Sequence, residues 1–210
     1  MKTTKGQNGP PATDPNEVYR EQQRLALQVL ADIPLERIAC EPPAWAQTLL
    51  KTLRDRFAAA ELLRFQTLKN EEMPREAMMS DRTLPVLLGR TDIQRSLLGK
   101  DYAAQPVSLE RPARRLLNRY DFVGTLCSVA AMGGAYTTPL QPEGEKLLKA
   151  GFNFSKFFAP NDPMARHYAS WYYAGAWCPW FADVVWDHTF LTVDRKNGKR
   201  ISLLCITCDD

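Results

Sequence analysis

Long apolar runs are missing from this chain of 210 residues. No stretch approaches the ~18 uncharged apolar residues of a membrane span, so helical spans are excluded. A large excess of either charge is also missing: 27 Lys+Arg stand against 24 Asp+Glu, a net +3. With 45% hydrophobic residues, this balance excludes intrinsic disorder. Fifteen Pro and 11 Gly are ordinary for the length and exclude a fibrous chain.

Motifs that bind phosphates or metals are missing as well. Gly133-Gly134 has no following Lys-Ser/Thr, so it reads as a helix stop rather than a phosphate cradle. No H-E-x-x-H, G-x-S-x-G, EF-hand, helix-turn-helix, zinc-finger or RNP pattern occurs. Histidine occurs only at His167 and His188, which leaves zinc short of ligands. Neither a metal nor another cofactor is expected.

The first residues, MKTTKGQNGPPATDPNE, carry two lysines but no apolar core, unlike a secretory leader. Residues 1–13 are expected to form a flexible tail. The five cysteines, Cys40, Cys127, Cys178, Cys205 and Cys208, are odd in number and irregular in spacing. They point to free thiols in a reducing, cytoplasmic setting, with no membrane association.

What is present reads first as helix. Asp14-Pro15-Asn16-Glu17 offers an N-cap, a proline at the first helical position and a capping-box acid. A stripe of Val18, Leu25 and Val29 follows, beside Ala26, Leu30 and Ile33, up to Pro34. Trp45, Leu49, Leu53, Phe57, Ala60 and Leu63 recur every three or four residues, which predicts a helix running to about Asn70. Thr91–Gly99 predicts a short helix. Ser108 to Gly133 predicts a long one, and Pro142–Ala150 another short one. Asn161-Asp162-Pro163 repeats the capped start, and Met164, Tyr168, Trp171, Gly175 and Cys178 supply a helical stripe up to Pro179.

One β signal stands out. Thr189–Asp194 and Arg200–Thr207 flank Asn197-Gly198, the preferred pair of a two-residue hairpin turn. With that turn at the centre, Asp194 faces Ile201. One face then carries Leu191, Val193, Leu204 and Ile206, and the other Phe190, Ile201, Leu203 and Cys205. Both faces are apolar, so helices should cover both. The expected fold is a mainly α, compact, bundle-like domain over residues 14–210. It has five to seven helices and a C-terminal β-hairpin at 189–207.

Four features could carry chemistry. Cys205-Ile206-Thr207-Cys208 has C-x-x-C spacing, but it closes a strand beside Asp209 and Asp210 instead of opening a helix. Residues three apart in a strand face opposite ways, so core packing of Cys205 is the simpler reading. In the two-residue register His188 and Cys205 share a face on diagonal positions, with Asp183 upstream, which allows a Cys/His hydrolase or transferase. Adjacent Asp187 and His188 point to opposite sides, and no oxyanion motif accompanies them.

The third feature is aromatic crowding. Thirteen of the 21 aromatic residues lie within positions 152–190. Tryptophan and tyrosine are enriched at binding hot spots. Tyr173, Trp177 and Trp180 are therefore the expected anchors for a partner, unless the segment is core. The fourth is charge segregation. Residues 44–120 hold 14 basic and nine acidic groups, while the flanks are each at −1. Arg111, Arg115 and Arg119 align at four-residue steps on the predicted helix, and Arg195, Lys196, Lys199 and Arg200 crowd the hairpin tip.

The leading functional expectation is a non-enzymatic protein-interaction module: an adaptor, inhibitor or immunity-type protein whose partner is another protein. The first alternative is a nucleic-acid-associated factor using the basic residues. The second is the small Cys/His enzyme.

Overall fold

The computed structural model describes residues 14–68, 71–135, 137–139, 144–159, 168–194 and 198–208. The expected tail, the helix start at Asn161-Asp162-Pro163, and Arg195, Lys196 and Asn197 lie outside these residues.

Strands are interspersed among the helices along the chain, which corrects the mainly α expectation. The order is α1 (Pro15–Asp32), β1 (Leu35–Arg37), α2 (Ala44–Arg56), β2 (Ala59–Thr67), a 3-10 turn (Ala77–Met79), α3 (Thr83–Leu88) and α4 (Thr91–Leu98). It continues with β3 (Arg114–Leu116), α5 (Arg119–Met132), α6 (Gly144–Phe158), β4 (Tyr168–Ala174), β5 (His188–Asp194) and β6 (Arg200–Thr207). The strands form one six-stranded antiparallel sheet in the order β1-β2-β6-β5-β4-β3. This is an α+β fold.

Helices cover both faces of the sheet. On one face, Leu63, Phe65, Trp171, Tyr173, Leu191, Val193, Ile201, Leu203 and Cys205 meet α1, α3, α4 and the 3-10 turn. On the other, Leu62, Phe190, Leu204 and Ile206 meet α2, α5 and α6. A strand buried on both faces needs apolar side chains at nearly every position. That is why β6, Ile201–Thr207, is buried throughout.

Three predicted helices become strands wholly or in part. The stripe beginning at Trp45 stops being helical at Arg56, and Ala59–Thr67 pairs along its length with β6. Leucine and glutamate favour helix, but the ladder to β6 and burial on two faces outweigh a propensity of tenths of a kcal/mol per residue. Tyr168–Ala174 is β4, not helix. Its period is two: Ala169, Trp171 and Tyr173 enter one core while Tyr172 packs on the other. The two aromatic stripes are the two faces of a strand. The helix expected from Ser108 starts only at Arg119, where Asn118 Oδ1 accepts from the Asp121 N–H at 2.9 Å. Its expected stop holds: Gly133 takes φ 70° at the C-cap.

The hairpin strands form, but one residue out of the expected register. Val193, not Asp194, faces Ile201, and Thr189 faces Cys205. A one-residue slip moves every side chain of one strand to the opposite face. Leu191 and Val193 therefore share a core with Ile201, Leu203 and Cys205, while Phe190 joins Leu204 and Ile206.

Candidate functional site

A cleft of about 700 Å³ opens between α5 and the β3–β4–β5 end of the sheet. Helix α5 supplies one wall with Asp121, Gly124, Thr125, Ser128, Val129 and Met132. Strands β3 to β5 and the loop before β5 supply the rest, with Arg114, Tyr172, Trp186 and His188 among them. Met132 and Val185 line it while staying largely exposed, at 62% and 74%. Its size lies within the range of ligand clefts.

Two polar pairs sit in this apolar surround. The Tyr172 hydroxyl and His188 Nδ1 are 3.0 Å apart, and their rings stack at 5.9 Å. Burial pushes the His188 imidazole down to about 4, so it is neutral at physiological pH. Burial also raises the Tyr172 phenol, against a smaller pull from Arg114. Arg114 Nη1 donates to Asp121 Oδ1 at 2.9 Å, Nη2 donates to Thr125 Oγ1, and the guanidinium lies 5.7 Å from the Tyr172 ring centre. Asp121 is fixed in turn, because its Oδ2 accepts from the Leu117 N–H at 3.0 Å.

The loop beneath the cleft is held by Asp187, which is fully buried. Its Oδ1 accepts from the Thr207 hydroxyl at 2.6 Å and its Oδ2 from the Val184 N–H at 2.9 Å. Burial raises its carboxyl above the usual range, and these hydrogen bonds draw it back down.

Of the expected partner anchors, Tyr173 and Trp177 are in the core, at 3% and 8% exposure. Trp177 Nε1 donates to Thr189 Oγ1 at 2.9 Å. Neither can anchor a partner, because β4 turns Tyr173 inward and Trp177 closes the same core. Trp180 is half-buried and packs edge-on against Phe181 at 5.0 Å.

The Cys/His pairing is not formed. The register slip puts Cys205 in the core on one face and turns His188 toward Phe57 and Tyr172 on the other. Asp183 holds φ 61° in the loop and lines a separate cavity of about 210 Å³ with Glu110 and Arg111. Cys205 is fully buried and its thiol is pushed well up by burial, the opposite of an activated nucleophile. Cys208 lies in the other core, where its Sγ accepts from the Ala135 N–H at 3.3 Å.

The basic residues also separate. Arg111 is at a bend before β3, Arg115 is on β3 with its guanidinium 5.7 Å from the Trp171 ring centre, and Arg119 opens α5. Arg119 Nη2 donates to the Ala159 carbonyl at 3.0 Å, and Arg64 Nη2 donates to the Phe157 carbonyl at 2.9 Å. Together they cap the C-terminal end of α6, where cations are favoured. Lys199 precedes β6 and Arg200 begins it.

Arg114, Asp121, Gly124 and Tyr172 escaped the sequence reading as parts of one site. A period-two reading of Tyr168–Ala174 would have put Tyr172 on the face away from Trp171 and Tyr173; the β4–β5 pairing then sets it one diagonal step from His188. Among the described residues no group of three or more His, Cys, Asp or Glu is placed to hold a metal ion. No described helix is long and apolar enough to cross a membrane. Comparison of the chain with family models, curated proteins and solved structures finds no match in any of the three.

Proposed function

We propose that the protein is a non-enzymatic protein-interaction module that holds an apolar side chain of its partner in the cleft between α5 and the sheet. The observation that carries this reading is the open apolar cleft itself, with Met132 and Val185 exposed where it meets solvent. Exposed apolar groups around a concave site mark binding surfaces. The C-terminal aromatic region still contributes, but through Tyr172 and Trp186 rather than Tyr173 and Trp177. Binding is favoured over catalysis because His188 Nδ1 is taken up by the Tyr172 hydroxyl and no thiol is among the described residues that line the cleft.

The nucleic-acid reading draws less support. Arg119 is committed to the end of α6, and Arg111 and Arg115 share no helical face with it.

A photo-crosslinking amino acid placed at Val185 tests the proposal, with Tyr19 on the opposite helical layer as control. Crosslinks to another protein from position 185 and none from position 19 are expected. Equal crosslinking from both positions, or none from 185, refutes it.

A further inference from the structure

The cleft is largely apolar, and one cation is among the described residues that line it. Arg114 is that cation, and its side chain is half exposed. Its orientation is set on three sides, by Asp121, by Thr125 and by the Tyr172 ring below it. Asp121 is held by the turn into α5, so the guanidinium is presented by a braced pair rather than by a free side chain. A guanidinium has five N–H groups in a rigid fork. Nη1 and Nη2 each use one on these partners, and Nε donates to none of the described residues. Both oxygens of Asp121, the one carboxylate of the lining, already accept a hydrogen bond.

The α5 wall leaves room for an occupant. Gly124 lies in the interior of α5, where glycine costs roughly 1 kcal/mol relative to alanine. Its φ is not positive, and a Cβ there would meet nothing within 4 Å. Neither backbone geometry nor packing among the described residues requires glycine at this position. Its effect is to keep the cleft open beside Thr125 and Ser128.

We infer that the partner segment held by this cleft carries a carboxylate next to its apolar anchor, and that Arg114 reads that carboxylate through its unused N–H groups. The inference rests on the cleft being the recognition site. The apolar side chain lies against Tyr172, Trp186 and Val129, and the Asp or Glu beside it meets the guanidinium fork. Arg114 is thus the specificity-determining residue, and the apolar wall supplies affinity with little discrimination.

The test uses two fluorescent probes that differ by one anionic group. These are 1-anilinonaphthalene-8-sulfonate and its uncharged parent, N-phenyl-1-naphthylamine. The full chain should bind both. Arg114→Met should weaken the sulfonate by about tenfold relative to the neutral probe, the scale of one lost charge-assisted pair. Arg114→Lys should fall between, because it keeps the charge but loses the fork. Retained binding of the neutral probe shows that each variant is folded with its cleft intact.

Displacement of the sulfonate then identifies the source of the anion. The blocked peptide Ac-Glu-Leu-Phe-Glu-amide should displace it, and the Gln-for-Glu version should do so at least about tenfold less well. Equal displacement by the two peptides, or a neutral probe that binds while the sulfonate does not, overturns the inference and leaves the cleft as a recognition site. Displacement by decanoate but not by the acidic peptide assigns the cleft to small carboxylates and overturns the peptide partner. Binding of neither probe overturns both the inference and the proposed function.

Discussion

His188 Nδ1 lies 3.0 Å from the Tyr172 hydroxyl, on diagonal positions of neighbouring antiparallel strands. The pair joins β4 to β5 on the face covered by α5. Burial holds the His188 imidazole near 4, so the pair is uncharged at physiological pH.

Stability should therefore depend on pH through His188. An unfolded histidine titrates near 6.5, so between about 6.5 and 4 the unfolded chain binds a proton that the folded chain refuses. The favourable term is complete above about pH 6.5 and is lost as pH falls toward 4, by up to roughly 3 kcal/mol. Asp187 acts in the opposite sense, since its folded carboxyl is raised, and its cost is relieved as pH falls. Urea unfolding of the wild type and His188→Gln from pH 7.5 to 4.5 separates the two. The difference in stability between them should shift toward the variant at low pH. A pH-independent difference contradicts the assignment.

Arg90 should be among the most sensitive single residues. It is buried, and its guanidinium donates to the carbonyls of Leu30, Ala31 and Ile33 at 2.6–2.7 Å, closing the C-terminal end of α1. It also pairs with Asp92. Arg90→Ala should cost about 2–4 kcal/mol, because it leaves helix-end carbonyls without a donor. Arg90→Lys should recover less than half, since an ammonium cannot reach all three from one planar fork. Denaturant unfolding measures both, and a loss under ~0.5 kcal/mol for alanine contradicts the capping role.

Asp187→Ala should loosen the segment from Gly175 to Asp187. The carboxylate ties Thr207 of β6 to the Val184 amide, and Thr207 Oγ1 in turn accepts from the Ala182 N–H at 3.2 Å. Removing it should cost about 2–3 kcal/mol and expose the loop to proteolysis before global unfolding. Cleavage mapped elsewhere, or no change in cleavage, contradicts this.

Arg64→Ala and Arg119→Ala should each lower stability by about 1–2 kcal/mol, through the freed carbonyls at the end of α6. Under the nucleic-acid alternative, Arg119→Ala would instead spare stability and weaken salt-dependent binding to DNA or RNA. Thermal unfolding and a low-salt mobility shift on the same variant distinguish the two.

Local signals in the sequence were legible where they did not compete with the sheet. Asp14-Pro15 starts α1 and Gly133 ends α5, because capping is set by neighbouring residues. The apolar faces of β5 and β6 announced helices on both sides. The extent of the sheet was hidden. Leu62-Leu63 and Tyr172-Tyr173 satisfy both a helical and a strand period, and only pairing with distant strands selects the strand. The hairpin register was hidden too. Asn197-Gly198 suggested a two-residue turn, while strand pairing sets Val193 opposite Ile201. That single step carried Cys205 away from His188, while the strand at Tyr168–Ala174 turned Tyr173 into the core. The cleft was out of reach because its walls come from α5, β3, β4 and β5, brought together only by the sheet order.

The most direct test of the recognition cleft is a Gly124→Leu substitution. A Cβ at this position meets no neighbour, and leucine favours helix over glycine, so the variant should be at least as stable as the wild type while its side chain fills the cleft. Tagged wild type and variant are compared for partner capture from native extract treated with nuclease. The account predicts a protein partner retained by the wild type and lost from the stably folded variant. Capture unchanged by the leucine would contradict it.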